Sequence, residues 1–173
     1  MVCSIDEPLA RLTQDASRAF VRNWFAIRNG GLVPSRRDVD PAAIARLLPH
    51  VWMWEFAEDR GDFVCRLAGE AVIRVFQRNP RGLTMAEWVP PPVADIARPR
   101  YRRVIDDPAI CIAAGTSYIA GDKRAWCERV ITPMSNGDGR PSIVFGITAW
   151  REAAYTLGPI EREDTEAVFL PLA

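Results

Sequence analysis

The chain has 173 residues, 49 % hydrophobic and 25 % charged, which is the balance of a globular domain and excludes a disordered chain, a collagen and a coiled-coil rod. Its 22 basic and 22 acidic side chains cancel, so no long-range field gathers nucleic acid or an anionic membrane. At this length roughly 70 % of the unfolded surface can be buried, enough for one core without disulfide staples.

Residues 13–29 read as a helix, with Ala16, Ala19, Phe20, Trp24 and Ile27 at helical spacing and Gly30-Gly31 as its stop. Asp40-Pro41 supplies a cap and first residue for a short helix through Ile44, Leu47 and Leu48, ended by Pro49. The period then changes to two. Trp52, Trp54 and Phe56 alternate with Val51, Met53 and Glu55, residues 58–62 turn, and Phe63, Cys65 and Leu67 share a face of a second strand. Short helices are expected over residues 69–77, with Val72, Ile73 and Phe76 on one side, and over residues 85–89. A longer helix follows from Val93 to Asp107, interrupted or kinked at Pro99. Residues 109–113 form a strand that residues 115–120 extend or follow, with a turn at Gly121-Asp122. In residues 124–134, Trp126, Glu128 and Val130 alternate with Cys127, Arg129 and Ile131. Asn136-Gly137-Asp138-Gly139 then makes a hairpin into residues 142–150, because these residues tolerate positive φ. The last stretch, 151–173, carries 2 basic and 5 acidic residues and reads as a tail with a helix from Ile160 to Phe169. The sum is an α+β fold: a five-stranded antiparallel sheet with helices inserted between strands two and three and a leading helix in front. The parts are residues 1–48 (helices and connector), 49–150 (core) and 151–173 (tail).

Chemistry-bearing motifs are few. Cys3, Cys65, Cys111 and Cys127 lack CxxC spacing and the only histidine is His50, so no metal site is expected and the cysteines read as buried thiols. Nucleophile-elbow, metalloprotease and phosphate-loop motifs do not occur, and Tyr118 and Lys123 lie one residue too far apart for a helical Tyr-xxx-Lys pair. The run Arg98-Pro99-Arg100-Tyr101-Arg102-Arg103 reads as a charged outer face, although an inward arginine there could clasp a carboxylate or phosphate. No apolar run approaches the roughly 18 residues of a membrane span. The first residues contain Asp6 and Glu7 and no apolar signal core, so a reduced, cytoplasmic setting is expected.

The order of elements resembles a PAS domain. Trp24 and Arg28, the stretch Leu32-Val33-Pro34-Ser35-Arg36-Arg37-Asp38-Val39-Asp40-Pro41 and Leu47-Leu48-Pro49 resemble the front of a proteobacterial PAS-like family. Phe63 through Gly69, and Phe76 through Thr84, are similar to that family's second strand and following loop. The resemblance covers about residues 20–150. It implies a sensory or regulatory module that binds a small molecule or protein partner between sheet and helices and pairs as a homodimer through its leading helix. Light-sensing relatives carry an Asn-Cys pair where this chain has Asn79-Pro80, and haem-binding relatives carry a ligand on the long helix, which here has no histidine. Flavin photochemistry and haem are therefore not expected, and the cofactor is left unknown.

The expected ligand pocket lies between a sheet face bearing Phe63, Cys65, Leu67 and Trp126 and helices bearing Val72, Phe76, Trp88 and Tyr101. The expected dimer face is Phe20, Trp24 and Ile27, which either cover the chain's own sheet or meet a second subunit. No catalytic residue is expected. Two alternatives stay open: a cone-shaped isomerase- or hydratase-like enzyme, with Glu55, Glu128 and Arg129 as its only interior polar candidates, and a purely structural dimerisation module.

Overall fold

Four consecutive residues, Val51 to Trp54, are buried, so the strand that holds them, β1 (Val51–Ala57), is covered on both faces. The structure, a computed structural model, describes residues 3–118, 123–151, 156–157 and 164–173. β1 pairs with β2 (Asp62–Ala68) and with β5 (Pro141–Trp150), which continues to β4 (Lys123–Ser135) and β3 (Ala109–Tyr118). The antiparallel order β2-β1-β5-β4-β3 is the strand pair plus returning meander that the sequence implies. Between β2 and β3 the chain forms α3 (Glu70–Phe76), α4 (Met85–Trp88) and α5 (Pro91–Asp106), which cover one face, here called inner. α5 runs through Pro99 as one helix. The leading helices α1 (Asp6–Arg11) and α2 (Asp15–Ile27) cover the outer face with residues 33–48. Among the described residues no helix is long and apolar enough to cross a membrane.

Several expectations change. Among the described residues the sheet has seven strands, because β7 (Asp164–Pro171) closes the far edge of β3 and the two-residue β6 (Thr156–Leu157) pairs with β4. The helix expected to reach Phe169 is thus a strand from Asp164 onward, while residues 158–163 lie outside the described ones. An open β3 edge would leave a row of backbone donors and acceptors unpaired. β7 satisfies them and sends Phe169 to the inner side and Leu170 to the outer core. Residues 41–47 form overlapping turns in place of a helix, with i→i+3 bonds such as Leu47 N–H to Ile44 C=O (2.8 Å). Asp40 begins them by accepting from the Ala42 amide at 2.9 Å. The Gly121-Asp122 turn lies outside the described residues.

α2 buries Ser17, Phe20, Val21 and Trp24, the i, i+3, i+4, i+7 stripe of a core-facing helix. The Phe20 ring lies 4.9 Å from that of Phe145 on β5, and Trp24 Nε1 donates to the Pro133 carbonyl at 3.2 Å. The expected dimer face is corrected accordingly: Phe20 and Trp24 are 1 % and 0 % exposed against the chain's own sheet, and Ile27 is half-buried beside them. A sheet apolar on its outer side takes the nearest apolar helix of its own chain, which needs no association entropy.

Glu128 anchors this outer layer. Its carboxylate is 1 % exposed and accepts from the Thr13 amide (2.8 Å), the Thr13 hydroxyl (2.8 Å) and the Gln14 amide (3.1 Å). These donors stand at the start of α2, where the helix dipole also favours a negative charge. Glu128→Ala is expected to cost about 2–3 kcal/mol by removing a buried charged acceptor and its three hydrogen bonds at the start of α2. Hydrogen exchange across residues 13–27 should accelerate while α5 stays protected; equal acceleration in both would show that Glu128 is not specific to this layer.

Candidate functional site

Residues of β1 that point inward carry indoles. The Trp52 ring lies against Gly146 of β5, where a Cβ would overlap it and crowd the Val130 carbonyl, so bare backbone is what seats the indole. From there Trp52 Nε1 donates to Thr148 Oγ1 at 2.9 Å. Thr148 pairs across the strands with Arg129 of β4, whose Nε donates to the same hydroxyl at 3.4 Å. Arg129 Nη2 reaches Ser117 Oγ of β3 at 3.2 Å. Three neighbouring strands thus place Thr148, Arg129 and Ser117 in one polar row on an otherwise apolar face.

A cavity of about 30 Å³ lies above this row. Trp52, Trp54, Arg129, Thr148 and Ser117 form its floor; Val72 and Phe76 of α3, Met85 and Trp88 of α4, and Ala97 and Tyr101 of α5 form its roof. Tyr101 stacks on Trp52 with ring centres 5.4 Å apart and planes at 14°. Trp88 touches both Phe76 (4.3 Å) and Trp54 (5.2 Å), so it joins roof to floor. That volume accommodates one or two water molecules.

The roof is short, and most of its hydrogen bonds gather at one end of α4. α4 has four residues and starts in a capping box: the Thr84 hydroxyl accepts from the Glu87 amide at 3.2 Å, and the Thr84 amide donates to the Glu87 carboxylate at 2.7 Å. The Thr84 amide and hydroxyl, with Arg60 nearby, hold the Glu87 carboxyl below its ordinary range. Asp62, buried at the start of β2, accepts from the Ala86 amide at 3.0 Å. The β1–β2 hairpin therefore grips the N-terminal end of α4; at the other end Arg78 Nη1 donates to the Glu87 carbonyl at 2.7 Å and the Trp88 side chain makes ring contacts.

Of the expected ligand residues, Val72, Phe76, Trp88 and Tyr101 line the cavity. Phe63 and Cys65 belong to the same inner core beside it. Leu67 is corrected to the outer side. A bulge between Met53 and Trp54 pairs Cys65 with Trp54 but Leu67 with Met53, so Leu67 shares the face of Met53 and is 39 % exposed. Trp126 is also outside, because it alternates with Cys127 and lies on the Glu128 side, covered by the Arg151 guanidinium at 3.6 Å. Two arginines of α5 face outward as well: Arg98 pairs with Asp95 (3.0 Å) and Arg102 with Asp106 (2.9 Å). Ser117 and Thr148 are site residues that the sequence did not single out, and Arg129 stood there only as an interior polar candidate of the enzyme alternative. The signal was one cation between Cys127 and Ile131 on an apolar alternation.

All four cysteines are buried, and none forms a disulfide. Burial pushes the Cys65 thiol up to about 12 and the Cys111 thiol up to about 11. The folded state therefore keeps these protons longer than the unfolded chain, whose thiols titrate near 8.5. Their contribution to stability is complete below that pH and is lost as pH rises toward the folded values. Iodoacetamide at pH 8 is expected to leave Cys65 and Cys111 unmodified until denaturant is added. The urea midpoint should fall between pH 8.5 and 10.5, and less so in a Cys65→Ala/Cys111→Ala variant; rapid native labelling would contradict this. Among the described residues no group of three or more His, Cys, Asp or Glu is placed to hold a metal ion.

A comparison with curated proteins found no match to the chain. The family model described as PAS domain matches residues 12–149, a span that takes in α2, all five strands β1–β5 and the three helices over the cavity. The chain belongs to the PAS domain family.

Proposed function

We propose that the chain is a sensory or regulatory module: a small molecule taken into the inner cavity shifts the α3–α4 roof, and the shift passes to a protein partner or a second copy. Membership of the PAS domain family supports the regulatory role. The observation that carries the ligand reading is a mismatch between lining and space. The walls are aromatic and aliphatic with a few converging donors, as in small-molecule sites, yet they enclose about 30 Å³. Sites for organic ligands hold roughly 300–1,000 Å³. Anything larger than two waters enters only if the roof moves, so occupancy and displacement are one event. The roof suits this, because α3 and α4 have seven and four residues and depend on packing for their helicity. Among the described residues lining the cavity there is neither a histidine nor a carboxylate to act as a general base, which favours binding over turnover.

Native mass spectrometry of protein purified from a cell extract is expected to show a bound small molecule that is released on denaturation. Ala97→Phe fills the cavity from α5 at a packing cost of about 1–3 kcal/mol, and should abolish the adduct while circular dichroism stays native. Hydrogen exchange over residues 70–88 should differ between loaded and stripped protein. Absence of any adduct, its survival in Ala97→Phe, or unchanged exchange over 70–88 would each overturn the reading.

A further inference from the structure

We propose that the cavity takes a neutral carbonyl compound, a ketone, ester or lactone on a compact apolar or aromatic body, with its oxygen accepting from Thr148 and Trp88. This deepens the reading of the cavity as a ligand site and rests on it.

Thr148 carries the first donor. Its Oγ1 accepts from Trp52 Nε1 at 2.9 Å and from Arg129 Nε at 3.4 Å. Neither nitrogen can act the other way, so both lone pairs are taken and the hydroxyl hydrogen is what remains. Two accepted bonds polarise that hydroxyl and strengthen it as a donor. The residue is 3 % exposed and stands in the cavity wall, so its hydrogen is cut off from bulk water. Trp88 carries the second donor. Its Nε1 is buried and has no hydrogen-bond partner, and the residue stands in the same wall. An indole nitrogen only donates. Burying such hydrogens unmet costs free energy, and both of these are of one kind. The cation in the wall does not turn this into an anion site. Arg129 donates from Nε to Thr148 and from Nη2 to Ser117 at 3.2 Å, so its fork is committed to the protein. The two donors that await an acceptor are neutral. A carbonyl oxygen has two lone pairs and no hydrogen, the complement of two donors. A water, an alcohol or an amine accepting from them brings hydrogens of its own to walls that are mostly rings and alkyl groups. Those walls, with Phe76, Ala97 and Tyr101 in the roof, set an apolar or aromatic body for the ligand.

Calorimetric titration of the full chain with matched pairs tests this: acetophenone against α-methylstyrene, and cyclohexanone against methylenecyclohexane, with benzoate as a separate arm. Each pair exchanges a carbonyl oxygen for a methylene at nearly the same shape. The ketones are expected to bind at least roughly tenfold more tightly than their alkenes, since an alkene leaves both donors unmet. Trp88→Phe, which keeps a ring and removes the N–H, should weaken the ketones several-fold and spare the alkenes. Thr148→Val should do the same, and Thr148→Ser should restore the preference; Trp88→Phe carries the test if Thr148→Val does not fold. The carbonyl stretch of bound acetophenone should lie below its value in hexane and rise in Trp88→Phe. Equal binding of ketones and alkenes overturns the proposal, as does a ketone preference undiminished by Trp88→Phe. Benzoate bound more tightly than acetophenone, or no binding by any probe, also overturns it. If alkenes bind as well as ketones and Ala97→Phe abolishes both, the carbonyl assignment falls and the cavity reading stands. If ketones bind undiminished in Ala97→Phe, the site is elsewhere and both fall.

Discussion

A sheet whose strands are apolar on both faces has to be covered twice. Val51 and Met53 need a layer on one side, Trp52 and Trp54 on the other, and none of the four is more than 8 % exposed. Antiparallel sheets commonly leave one face to water. Here neither face can be left, and the rest of the architecture follows. The leading helices fold back over the outer face because Phe20, Val21 and Trp24 have nowhere better to go. The inserted helices cover the inner face because Val72, Met85, Val93 and Tyr101 complete the same apolar stripe.

The two layers are built differently. The outer one is tied down by buried, directional bonds, with the Glu128 carboxylate at one end of α2 and the Trp24 indole at the other. The inner one includes two short helices, clasped at Asp62 and Thr84, tied also by Arg78 and Arg60 to Glu87, with their apolar side chains packed on rings. Ring contacts are non-directional and survive sliding; charged hydrogen bonds do not. In the layer over the cavity those bonds bear on exposed or half-buried groups of α4, so a shift there costs less than one in the outer layer. A site that opens by repacking aromatic rings belongs there.

Much of this was legible in the residues. Period-two alternation marked β1, β2 and β4, the Asn136-Gly137 turn marked the hairpin and with it β5, and the element order marked the topology. The cavity roof was legible because Val72, Phe76, Trp88 and Tyr101 follow helical spacing or sit on the helix with an apolar stripe. Three things were not. The bulge that sends Leu67 outward leaves no mark in composition, since either face accepts a leucine. The strand from Asp164 takes its cause from an unpaired edge on β3, some fifty positions earlier in the chain, and local propensity is silent about edges. The polar row of Thr148, Arg129 and Ser117 depends on the register of three strands, which alternation alone does not fix.

That last point gives Glu128 and Arg129 a further importance. They are consecutive, so β4 sends a carboxylate to one layer and a guanidinium to the other. In a sheet greasy on both sides, turning a strand over by a single-residue slip costs its hydrocarbon groups little. The same slip would thrust the acid among the rings and leave the cation facing the amides of Thr13 and Gln14. A two-residue word of opposite signs thus tells the strand which way up it lies, where oil alone would have left it ambiguous.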